Sequence, residues 1–136
     1  MNKGFTIIEL ILTVAIVGIF AVSALPSFTD VTTSAEISSR DAVASSIQTG
    51  VQLQRANDMV SNGPPGVYPA ALDAVPVSTP CAPANPCFGG VLYSPIGDYK
   101  NGRGWSKINN TSYSFNDGST AYTYNYDSAA GTFTLQ

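Results

Sequence analysis

From Phe5 to Phe28 the chain is almost entirely apolar, and Glu9 is the only charged side chain in that run. At about 1.5 Å per residue, a helix of this length is enough to cross a hydrocarbon layer about 30 Å thick. Gly18 and Pro26 are its weak points. Glycine adds backbone entropy, while proline lacks an N–H and clashes with the preceding turn. A kink near Pro26 and a hinge between Gly18 and Pro26 are therefore expected. Beyond Val31 the apolar positions take up a helical period. Val43, Ile47 and Val51 recur every fourth residue, and Ala35, Ala42, Leu53 and Val60 broaden the stripe. Asp41, Ser45, Gln48, Gln52 and Arg55 fall on the other side. Ser61-Asn62-Gly63-Pro64-Pro65-Gly66 supplies the stop. One helix is predicted, from Phe5 to about Ser61, apolar over 5–28 and amphipathic over 29–62.

Residues 63–136 change character and read as a globular head. Pro, Gly and Ala dominate 63–90, which is predicted to be a long ordered loop with a brief helical turn at Tyr68–Asp73. Strands are predicted at Gly90–Ser94, Trp105–Ile108, Thr111–Phe115, Ala121–Asp127 and Thr132–Leu135. Asn116–Thr120 forms a hairpin loop and Ser128–Gly131 a turn. Three to four of these strands, packed antiparallel on the helical stripe, give an α+β fold. Tyr122, Tyr124 and Tyr126 alternate and so share one face. They read either as an aromatic contact surface or as half-buried packing, and packing is the reading taken.

The order of the N-terminal features matters. A secretory signal has a shorter apolar core and a small-residue cleavage site beyond it. Here a short polar leader with Lys3 ends at Gly4, before the apolar run, so a cut at Gly4 leaves the helix in the product. Lys3 places the leader on the cytoplasmic side and the head outside. Cys81 and Cys87 agree, because a close cysteine pair in an exported domain reads as a disulfide. Closing so short a loop contributes roughly 2.4 kcal/mol in the chain-entropy view.

Gly4-Phe5-Thr6-Ile7-Ile8-Glu9 resembles the processing site of the type IV pilin family, which spans pilins, minor pilins and the pseudopilins of type II secretion. The resemblance implies that a prepilin peptidase cuts between Gly4 and Phe5 (leader 1–4) and N-methylates Phe5. It implies a homo-oligomeric helical filament, in which Glu9 meets the Phe5 amine of a neighbouring subunit and sets the register. It also implies a pilin-like architecture of one long helix and a small antiparallel sheet, with loss of helix between Gly18 and Pro26 on assembly. The precursor would sit in a bacterial inner membrane, its head periplasmic. It would then pass through pilus or secretion assembly machinery to an extracellular pilus. Physically, a carboxylate within a membrane helix costs on the order of 3 kcal/mol and so calls for a partner. The plainer alternative is a Glu9 that snorkels to water near the interface.

Composition narrows the rest. Charged residues are 11% of the chain, and the net charge of −3 becomes more negative once Lys3 leaves, which disfavours nucleic acid as a partner. The absence of histidine removes Ser-His-Asp and Cys-His chemistry and the usual catalytic zinc sites. No metal, cofactor or catalytic residue is expected, and the chain is not read as an enzyme. Asp98, Asp117 and Asp127 lack the spacing of a calcium loop such as the major pseudopilin carries. Lys100, Arg103 and Lys107 surround Trp105 as the only basic–aromatic cluster. It reads as a patch for an anionic partner or, more simply, as a solvated loop with its tryptophan in the core. The resulting expectation is a structural subunit of a type IV pilus-like filament. The alternative is a pseudopilin of a type II secretion system, followed by a minor pilin acting as an adhesin or DNA-uptake module. The Cys81–Cys87 loop is shorter than the C-terminal loop that pilins commonly close.

Overall fold

The computed structural model of the chain describes residues 4–136, and the side chains of all of these except 24–30. A single helix, α1, runs from Ile7 to Asn62, and five strands follow. They are β1 (Thr79–Pro80), β2 (Gly104–Lys107), β3 (Ser112–Asn116), β4 (Ala121–Asp127) and β5 (Thr132–Leu135). The chain divides into two compact units, one ending at Glu36 and the other comprising Ile37–Gln136.

In the first unit the described side chains of α1 are exposed from Ile7 to Ser23, and most of them are apolar. Among the described residues no helix is long and apolar enough to cross a membrane. The expected boundary at Phe28 and the expected bend at Pro26 both fall among residues 24–30, outside the described side chains.

The second unit is α+β. Its strands form one antiparallel meander in the order β1-β2-β3-β4-β5. The two-residue period of a strand sends alternate side chains to each face. Trp105, Tyr113, Phe115, Tyr124, Tyr126 and Phe133 are thereby buried together, joined by Ile47 and Val51 of α1. Phe88 enters this group from the loop. It stands edge-on to Trp105 at 5.5 Å and packs on Tyr113 at 4.5 Å. Such aromatic pairs add roughly 0.5–1.5 kcal/mol each beyond the area they bury. Tyr124 and Tyr126 are therefore core residues and Tyr122 is half-buried, which excludes a three-tyrosine contact face.

The helical stripe is narrower than the sequence suggests. Ala35, Ala42, Leu53 and Val60 are exposed. The buried face is completed instead by small and polar residues. A Cβ at Gly50 would overlap the Val91 carbonyl, so only glycine lets the loop approach the helix there. Gln48, expected on the solvent side, spans the open edge of β5. Its Nε2 donates to the Gly131 carbonyl (2.7 Å), and its Oε1 accepts from the Phe133 N–H (2.8 Å). Arg55, also expected outside, covers the Tyr68 ring at 4.7 Å and donates to its hydroxyl at 2.8 Å.

The long loop departs most from expectation. The predicted helical turn at Tyr68–Asp73 is absent, and Gly90–Ser94 is a turn rather than a strand. The N–H groups of Val91 and Leu92 both donate to the Phe88 carbonyl, which folds the segment back on itself. The sheet has five strands, not three or four, because Thr79–Pro80 pairs with β2. Cys81 and Cys87 form a disulfide and are fully buried. Asp73 organises the same region. Its Oδ1 accepts from Lys107 Nζ (2.7 Å) and the Val75 N–H (3.1 Å). Its Oδ2 accepts from the Tyr113 hydroxyl and the Phe88 N–H, both at 2.9 Å. A buried carboxylate with four donors is fully satisfied, so it fixes the loop without an orphaned charge.

Candidate functional site

The amino-terminal end of α1 is set by two side chains. Thr6 lies one residue before the helix and Glu9 three residues further on, the spacing of a capping box. Glu9 Oε2 accepts from the Thr6 N–H at 3.2 Å and from the Thr6 hydroxyl at 3.0 Å. In return the Glu9 N–H donates to Thr6 Oγ1 at 3.3 Å. Each side chain satisfies a backbone donor that the first turn leaves without an intrahelical acceptor. The carboxylate also lies at the positive end of the helix dipole. The capping box thus stops the helix short of Gly4 and Phe5, which lie outside it and are exposed. The Gly4–Phe5 peptide bond is accordingly in non-helical chain, next to a carboxylate already oriented by its own helix.

The remaining sequence-predicted sites scatter. Of the basic–aromatic cluster, Trp105 is 1% exposed and Lys107 3% exposed, both on the core face of β2. Lys107 is consumed by Asp73, and burial together with that carboxylate pushes the Tyr113 hydroxyl pKa well up. Lys100 and Arg103 are exposed, but they belong to a separate small hairpin closed by reciprocal Lys100–Arg103 backbone bonds of 3.0 Å. No four-residue surface patch exists. That hairpin turns through Asn101 (φ 53°) and Gly102 (φ 78°), the left-handed pair an Asn-Gly turn provides. The Asn-Gly signal was present in the sequence and unread. Asp117 caps the Asn116–Thr120 loop, and the N–H groups of Thr120 and Ser119 hold its carboxyl below the usual value. Asp98, Asp117 and Asp127 do not converge. Among the described residues no group of three acidic, histidine or cysteine side chains is placed to hold a metal ion.

A long helix whose described apolar side chains are exposed up to Ser23, followed by a small antiparallel meander, makes a pilin-like α+β fold. The family model described as the prokaryotic N-terminal methylation motif matches residues 1–25. A fimbrial protein of Moraxella nonliquefaciens is 40% identical over 56 residues, covering 41% of this chain and 36% of the relative. A type IV major pilin protein of Neisseria gonorrhoeae is 39% identical over 75 residues, 54% of this chain and 35% of the relative. A fimbrial protein of Neisseria meningitidis serogroup B is 53% identical over 38 residues, 28% and 22% respectively. The chain therefore spans about a third or less of the length of these curated relatives. No solved structure matches it. The methylation motif and these relatives show that the amino-terminal part of the chain is similar to type IV pilins and fimbrial proteins.

Proposed function

We propose that this chain is a structural subunit of a type IV pilus-like filament. A prepilin peptidase removes Met1–Gly4, N-methylates Phe5 and leaves the segment from Phe5 to Phe28 as the membrane anchor and later the filament core. The observation that carries this reading is the methylation motif on a helix whose described apolar side chains are exposed up to Ser23. An exposed apolar helix is stable only in lipid or against other apolar helices, and a filament subunit passes from the first to the second. Glu9 selects the register. Its Oε2 is held by Thr6, and the positive amine exposed by cleavage gives a neighbouring Phe5 a reason to meet it. The relatives' names, fimbrial protein and type IV major pilin protein, favour an extracellular pilus over the pseudopilus of type II secretion.

Intact mass and N-terminal sequencing of the chain from its host provide the test. N-methyl-Phe5 at the terminus, in protein recovered from sheared surface fibres, supports the pilin. The same terminus found only in the inner membrane supports a pseudopilin. An unprocessed Met1 terminus contradicts both.

A further inference from the structure

Asn62-Gly63 and Asn101-Gly102 are Asn-Gly pairs, and Asp117-Gly118 is an Asp-Gly pair. In each, a side-chain carbonyl carbon lies next to a backbone nitrogen that no Cβ of the following residue screens. The fold ties down two of them. At Asn62 the side-chain Nδ2 donates to Asp58 Oδ1 at 2.6 Å, and the Gly63 N–H donates to the Met59 carbonyl at 3.0 Å. The other Asp58 oxygen accepts from the Val67 N–H at 2.7 Å, so this corner is held at three points. At Asp117 one carboxylate oxygen accepts from the Ser119 and Thr120 N–H groups, and the Gly118 N–H donates to Asn116 Oδ1 at 2.7 Å. Asn101 and Gly102 are both exposed. Among the described residues neither the Asn101 side chain nor the Gly102 N–H has a hydrogen-bond partner. A Cβ placed on Gly102 would meet nothing within 4 Å. The turn is closed by the two Lys100–Arg103 backbone bonds, which lie outside the five-stranded sheet.

We propose that Asn101 is a site of spontaneous covalent modification, deamidation through a cyclic imide, and that the fold directs this reaction to Asn101 rather than Asn62. The Gly102 backbone nitrogen, its proton taken by solvent base, attacks Asn101 Cγ. The new C–N bond closes the ring, and the side-chain amide leaves as ammonia. Water then opens the imide at one of its two carbonyls. Breaking the Cγ–N bond gives aspartate on a normal backbone, whereas breaking the bond from the Asn101 backbone carbonyl to that nitrogen gives isoaspartate. One water is consumed, one ammonia is released, and no oxidant or reductant is needed. Asn101 is left-handed in the turn (φ 53°), so the ring closes when the Lys100–Arg103 bonds open. That local opening unpairs no strand of the sheet, whereas Asn62 reacts only when its three ties release together. The product adds a negative charge between Lys100 and Arg103, and isoaspartate lengthens the turn by one backbone atom. The change reaches the next loop, because the Arg103 guanidinium lies so close over Gly118 that a Cβ there would overlap it.

The test is a time course on the full-length chain in detergent at mildly alkaline pH. It is read by peptide mass mapping and by methyl labelling with an isoaspartyl O-methyltransferase. Folded and urea-unfolded chains are compared, with Asn101→Gln, whose longer side chain disfavours the ring, as a control. In the folded chain Asn101 should convert at least about tenfold faster than Asn62, since the tied corner must open first. In the unfolded chain the two pairs should convert at similar rates, because the ties are gone. Asn101→Gln should remove most of the methyl labelling of the folded chain and leave the Asn62 rate unchanged. An Asn101 that keeps its amide in the folded chain while reacting in the unfolded one would overturn the proposal. So would an Asn62 that reacts as fast as Asn101 in the folded chain.

Discussion

The two halves of α1 have similar secondary structure and opposite energetic situations. Up to Ser23 the described apolar side chains are exposed, and the only side-chain link that shapes the helix end is the Thr6–Glu9 capping box. From Ile37 onward the same helix contributes Ile47 and Val51 to a closed aromatic core, and its polar residues bond to loop and sheet. A helix gains most of its stability from the face it buries rather than from propensity. The second half therefore carries its partner within its own chain, whereas the described side chains of the first are exposed up to Ser23. Assembly with other copies, as proposed above, would cover that exposed apolar surface.

The sharpest break of this comparison is Asp73→Ala. It strands the Lys107 ammonium in the core with Tyr113, Phe88 and Val75 donors unpaired, and it should cost about 3–5 kcal/mol in urea unfolding followed by near-UV circular dichroism. The double variant Asp73→Leu/Lys107→Met should recover most of that loss, since it removes both charges together. Replacing Cys81 and Cys87 with alanine should cost roughly 2.4 kcal/mol in the same assay, again only in the head. Thr6→Ala should act on the other region alone. Losing the cap should weaken the first turn by about 1 kcal/mol, seen as faster amide exchange at Ile7–Ile11 with the head unchanged.

The smallest effect concerns acid. Hydrogen bonds from the Thr120 and Ser119 N–H groups hold Asp117 below its ordinary pKa of 3.8 in the folded protein. A depressed folded value stabilises the fold above the ordinary value, and that contribution is lost as pH falls through the lower, folded one. Asp117→Asn should therefore flatten the decline of melting temperature below about pH 4 relative to wild type. An unchanged decline would mean that the loop cap does not couple to folding.

How much of this was legible in the sequence depended on whether the signal was local. Ala121–Asp127 and Thr132–Leu135 fall where alternation and turn residues place them. The long helix ends within a residue of its Gly-Pro stop. Gly90–Ser94 misled because an apolar run with aromatic content is also what a buried turn needs: Val91 is buried and Tyr93 projects outward. Lys107 was read as surface because lysine usually is. Its burial follows from a carboxylate 34 residues away, which no local pattern reveals. Leu53 and Val60 fit the helical period yet lie exposed, because the head covers only the narrower strip around Ile47 and Val51. At the amino terminus the reading was better served. Motif, spacing and acid lie within six residues, and the Thr6–Glu9 box adds the one detail the sequence reading passed over.

The most direct test of an incomplete first region completed by other copies is the yield of sheared fibres from Glu9→Ala and Glu9→Gln beside wild type. The expected result is a processed, folded chain that accumulates in the membrane, with fibres lost in both variants because neither can pair with a neighbouring Phe5 amine. Wild-type fibre yield from Glu9→Ala would contradict the account.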